Sequence, residues 1–180
     1  MYKITTPNDL PVFIILPPKT GTRSIERAIK RELNAERIGS RHDVDVRQLI
    51  GAAAVAATIR HPCDVLVSWY HYSVLGKKSG RRFGDFLDRV FRDDSGMQGR
   101  YLRYSTLPGA EHAKHFICYE DGLENSLNIF LWSHGLPKVS LEHLGASINR
   151  RPWREYYSRR LLRIVKDKFG QDFERYEYAI

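Results

Sequence analysis

Lys19, Thr20, Thr22, Arg23 and Ser24 crowd around one glycine in the segment Pro17-Pro18-Lys19-Thr20-Gly21-Thr22-Arg23-Ser24. A mobile cation, three hydroxyls and a residue without a side chain suit a phosphate or a phosphate-like anion. The flanking sequence explains how they would be held. The apolar run Val12-Phe13-Ile14-Ile15-Leu16 precedes them and reads as a strand, the first of the chain. Ile25, Ala28, Ile29 and Leu33 follow at helical spacing. Strand, tight turn and helix start bring free backbone N–H groups and the positive end of a helix dipole to the turn. Gly21 lets the backbone approach a bound group. The order is not that of a Walker A loop, which needs Gly, four residues and then Gly-Lys-Ser/Thr.

A second cluster follows the apolar run of residues 52–59, which reads as a buried parallel strand. It begins Arg60-His61-Pro62 and continues through Ser68-Trp69. Pro62 suits the first turn of a helix, so Arg60 stands at the strand end and Ser68 on the helix. Ligands of open α/β sheets gather beyond the carboxyl ends of the strands. Arg60, with its fork of donors, and Ser68, with its hydroxyl, can hold one anion there. A magnesium-dependent nucleotidase would place an Asp at such a strand end, and here there is a cation.

The lysine-first loop resembles the one with which sulfotransferases hold the 5′-phosphosulfate of PAPS (3′-phosphoadenosine 5′-phosphosulfate). Arg60, any residue, Pro62, five residues, Ser68 and the aromatic Trp69 resemble the same family's 3′-phosphate motif in order and spacing. Many members carry a second arginine where this chain has Val65. The resemblance implies a three-layer α/β domain, a mostly parallel sheet flanked by helices in a P-loop-NTPase-like sulfotransferase fold. It implies PAPS as donor, PAP (3′,5′-adenosine bisphosphate) as product, and no metal. Lys19 and residues 20–24 would hold the phosphosulfate, and Arg60 and Ser68 the 3′-phosphate.

His115-Phe116-Ile117-Cys118 reads as a further strand, with Asp121 as cap of a helix beginning near Leu123. The Tyr-Glu-Asp ending resembles the family strand near the adenine, which implies that Tyr119 contacts the purine. The family's base is often a His or Glu between the first helix and the 3′-phosphate strand, and His42 is the histidine of that interval. It precedes a helix that Asp43 or Asp45 would cap, and a neighbouring Asp can orient an imidazole. Glu120, Asp43 and His71 are the alternatives. The tail, from Asn149 through Tyr178, resembles that of small bacterial carbohydrate-type sulfotransferases. Arg150 and Arg151 would stand in for the Arg-Lys-Gly segment that closes on the 3′-phosphate in other members, although no glycine follows them.

The 180 residues read as a single domain, 1–180, without repeats or low-complexity linkers. A basic loop near residues 76–82 and a second loop near 93–99 flank an amphipathic helix with Phe83, Phe86, Leu87, Val90 and Phe91 on its apolar side. Such an arrangement suits an acceptor-site lid or a surface helix. No run is long enough to span a bilayer, and the N-terminus lacks the pattern of a signal peptide. Two cysteines, Cys63 and Cys118, make no disulfide framework, and no ligand spacing points to zinc. These features place the protein in the cytoplasm. The net charge of +8 attracts anions. It is spread along the chain without a nucleic-acid-binding motif, which argues against nucleic acid and for a multiply charged cofactor with a glycan or small-molecule acceptor. Two other readings compete: a magnesium- and ATP-dependent small-molecule kinase, and a non-enzymatic basic module for RNA or an anionic glycan. Oligomeric state has no signature in these residues.

Overall fold

A computed structural model describes residues 1–39, 45–75, 82–92, 113–145 and 150–179. Two compact units emerge from the contacts within the chain. The first comprises Met1–Arg60 and Thr106–Gly145, the second His61–Ser105 and Ala146–Ile180.

The first unit is an α/β structure around a five-stranded mixed sheet. Its strands are β1 (Tyr2–Thr5), β2 (Pro11–Ile15), β3 (Glu36–Arg37), β4 (Ala54–Ile59) and β5 (His115–Cys118), in the spatial order β3-β1-β2-β4-β5. β2, β4 and β5 run parallel, with Ile15 beside Ala57 and Ile59 beside Cys118. β1 runs antiparallel to both β2 and β3. Val12–Leu16 therefore leads not the first strand but the second. A tight turn makes the hairpin: Asp9 adopts φ +57°, and the backbone and hydroxyl of Thr6 both donate to the Leu10 carbonyl.

Helices α1 (Thr22–Leu33) and α4 (Leu123–Ser133) both bury residues in one core of this unit. Val12 and Ile14 of β2 meet Ile25, Ile29, Leu127 and Leu131 there. The alternate residues, Phe13 and Ile15, join Met1, Ala57 and Ala113 in a second cluster, as the period of two in a strand requires. β2 is thus buried on both faces, which explains its unbroken apolar run. Gly122, at φ +84°, occupies the cap position of α4 without a side-chain hydrogen bond, so Asp121 does not cap that helix. Its carboxylate instead lies beside the Cys118 thiol.

The second unit is helical. α2 (Pro62–Tyr70) runs into a π-helical turn, His71–Leu75, and is accompanied by α3 (Phe83–Arg92), α5 (Arg159–Lys168) and α6 (Gly170–Arg175). Its core joins Leu66, Val67 and Tyr70 to Phe83, Phe86, Leu87 and Val90, the apolar side expected of α3, and to Val165, Phe169 and Phe173. Among the described residues no helix is long and apolar enough to cross a membrane.

Candidate functional site

The carboxyl ends of the three parallel strands gather the Lys19 loop, Arg60 and Tyr119. The loop after β2 turns sharply. Lys19 takes φ +67° and Gly21 φ +83°, so left-handed residues stand on both sides of Thr20. Such residues are components of the backbone concavities that hold anions. Gly21 is also the N-cap of α1, and both Ser24 and Ile25 donate their N–H to its carbonyl. Without a cap side chain, the N–H groups of Thr22 and Arg23 head the helix at the positive end of its dipole. A Cβ at Gly21 would come within 2.2 Å of Leu123 Cδ2, so α4 crosses directly against the loop.

The hydroxyls of the loop are engaged within it. Thr20 and Thr22 both donate to the Pro17 carbonyl, each at 2.6 Å. The Thr20 oxygen lies 2.6 Å from that of Thr58. Because the one Thr20 proton goes to a carbonyl, Thr58 is the donor in that pair. Ser24 is buried, and its hydroxyl oxygen accepts from the Leu144 N–H at 3.1 Å. Arg23 is exposed. The Thr20 and Thr22 protons are thus committed to Pro17, whereas Ser24, an acceptor in its bond, keeps a proton to donate. The loop brings this hydroxyl, the N-terminal N–H groups of α1, Lys19 and Arg23 toward an anion.

Arg60 follows β4 and is 8% exposed. Its guanidinium donates to the Lys19 carbonyl at 2.7 Å and lies over the Tyr119 ring, 3.8 Å from the centroid. Tyr119 is placed by its own N–H, which donates to Ile59. Lysine loop, arginine and tyrosine thus form one contiguous group across three adjacent strand ends. Thr58 of β4 and Arg60, which follows its end, both grip the loop after β2. Sequence reasoning missed Thr58; its alternation with Arg60 along the strand was the available signal.

No family model, curated protein or solved structure matches this chain. The site accordingly rests on its own chemistry.

His42 and Asp43 lie outside the described residues. Asp45 caps a single 3-10 turn, Val46–Leu49, by accepting the Arg47 N–H. Glu120 is exposed beyond β5. The neighbouring Cys118 thiol is pushed up to about 11, by burial first and by Asp121 and Glu120 in addition.

In the second unit Ser68 is buried on α2. Arg150 forms an ion pair with Asp64, in the first turn of that helix. Arg151 is exposed, pairs with Glu155 at 3.5 Å and lies over the Tyr156 ring. His71 has its Nε2 2.7 Å from the Tyr156 hydroxyl, and burial lowers its pKa. His61, quoted in the motif but given no role there, is a buried organiser of this unit. Its Nδ1 accepts the Cys63 N–H and caps α2, which leaves Nε2 to donate to the Ala179 carbonyl at 2.9 Å. Trp153 stacks on the ring at 4.3 Å. Cys63 and Cys118 are free thiols, and no group of three or more metal-ligating side chains occurs among the described residues.

Proposed function

We propose that this chain is a sulfotransferase that moves the sulfuryl group of PAPS to an acceptor hydroxyl, on a carbohydrate. The observation that carries the reading is Arg60, a strand-end cation bonded to the backbone of the Lys19 loop and stacked on Tyr119. It supplies charge where a magnesium enzyme would bring a carboxylate. The sequence motif adds Ser68 to the 3′-phosphate set by its spacing alone. The finer architecture, three layers in a P-loop-like sulfotransferase fold, belongs to the same proposal, as does a cytoplasmic location.

PAPS supplies an activated sulfuryl group. The acceptor oxygen forms a bond to sulfur while the bond from sulfur to the bridging oxygen breaks, and the electron pair leaves with PAP. The acceptor proton goes to a base, His42 on the family resemblance, a contribution of about a hundredfold to ten-thousandfold. Lys19 meets the charge that builds on the bridging oxygen, worth roughly 3–4 kcal/mol of barrier when well aimed. The N–H groups at the start of α1 hold the 5′ end. Arg60 sets the register of the cofactor through the 3′-phosphate and so favours PAPS over ATP.

The test is transfer of label from PAPS to a panel of glycan and phenol acceptors. Wild-type protein should label at least one acceptor. Lys19→Ala should lose turnover while PAP still binds. Turnover of Lys19→Ala close to wild type would remove Lys19 from the mechanism, and label-free acceptors throughout would count against the reading as a whole.

A further inference from the structure

Half of the net charge of this chain sits on one helix. In ten residues α5 carries Arg159, Arg160, Arg163, Lys166 and Lys168 against a single acid, Asp167: net +4 of the chain's +8. All five cations are exposed, and none makes an ion pair or side-chain hydrogen bond with any described residue. Arg159, Arg163 and Lys166 share a face and span about 10 Å along the axis. Lys166 and Lys168 in the last turn suit the helix dipole, but the start of the helix is unfavourable to its charge. Two arginines occupy the first turn, where the dipole favours carboxylates, and no acid is present there. Like charges three and four residues apart add repulsion. No described acid is paired with any of the five cations, which leaves an external anion as their counter-charge.

The other side of α5 decides which anion. Leu161, Leu162 and Val165 pack into the core of the second unit, so no apolar face remains for a bilayer. The sequence of the helix, RRLLRIVKDK, contains no aromatic ring for a sugar to lie on and no amide to read a base. What it offers is cations alone, closely spaced. A nucleic-acid duplex presents one charge per ~1.7 Å, dense enough for every cation of the stripe to meet a phosphate. We propose that α5 binds the phosphate backbone of a duplex nucleic acid without reading its sequence. The proposal does not depend on sulfuryl transfer. It also alters one expectation from the sequence, that the positive charge is spread along the chain and argues against nucleic acid.

The experiment is anisotropy titration of the full chain against a labelled duplex of arbitrary sequence between about 50 and 200 mM salt. Binding should weaken with a log–log slope of about −3, for three phosphates contacted. The variant Arg159→Glu/Arg163→Glu/Lys166→Glu should bind at least tenfold more weakly at low salt, and equally so for unrelated sequences. Arg159→Glu places an acid in the first turn and Lys166→Glu one in the last, opposite effects on the helix, so the thermal midpoint of the variant is measured beside its binding and separates lost binding from lost folding. Absence of duplex binding by the wild type, unchanged binding by the variant, or binding of an acidic polysaccharide that duplex fails to displace would each overturn the proposal.

Discussion

Lys19 occupies a backbone region that costs a residue with a side chain roughly 1–2 kcal/mol. Two side chains at the end of β4 hold it there, Arg60 just beyond the strand through the Lys19 carbonyl and Thr58 through Thr20. Thr58 is 1% exposed, so Thr58→Val removes a buried donor with little change of shape. Chemical denaturation should show a loss of about 1 kcal/mol, and PAP affinity should fall with it, while Thr58→Ser restores both. Equal affinity in Thr58→Val would show that the loop keeps its form without this bond. Arg60→Ala should weaken PAP far more than AMP, because the 3′-phosphate is the group lost between them; parallel losses would place Arg60 elsewhere on the nucleotide. The Lys19 loop and Arg60 were legible as sequence because their chemistry is local to a strand end. The inward turn of the Thr20 and Thr22 hydroxyls was not, since it depends on a single shared carbonyl, that of Pro17.

α1 begins at a glycine that serves two purposes. Gly21 adopts φ +83° and lies under Leu123 of α4, so Gly21→Ala is strained in its backbone and crowded by a side chain. Thermal or urea denaturation should register a loss of about 1–2 kcal/mol, and anion affinity at the loop should fall as α1 is displaced. A Gly21→Ala protein of wild-type stability would mean that the left-handed turn is dispensable. β4, β5, α1, α2 and α3 were readable from apolar runs, from Pro62 and from helical periodicity. β1 was not, because Tyr2-Lys3-Ile4-Thr5 is too short a pattern without its partner strand; Pro7-Asn8-Asp9 was the turn signal beside it. The cap of α4 was misread because Asp121 is a good cap by type, whereas the local backbone gives the position to Gly122.

Across the whole molecule, acid should be destabilising. Burial lowers the pKa of His71 in the second unit, and burial with His134 and Lys114 nearby lowers that of His115 in the first. Each folded pKa lies below the ordinary value of 6.5, so the unfolded chain takes up protons first as pH falls. The stability from these groups is full above about 6.5 and is lost as pH falls through the folded values. Denaturant midpoints between neutral pH and about 5 should decline, and His71→Gln should flatten part of that decline; a midpoint that rises toward acid would contradict the assigned direction. At this scale the α/β class was legible because β2 and β4 are continuous apolar runs. The antiparallel edge of β1 and β3 needed the three-dimensional arrangement; the cations of α5 are neighbours in the sequence, and the structure adds that they are exposed. The central claim concerns the nucleotide, and calorimetric titration with PAP, beside ADP and magnesium–ATP, tests it most directly. Tight binding of PAP without metal, with ADP and ATP weak, is the result that follows from Arg60 and the Lys19 loop. Absence of PAP binding, or a clear preference for magnesium–ATP, would contradict it.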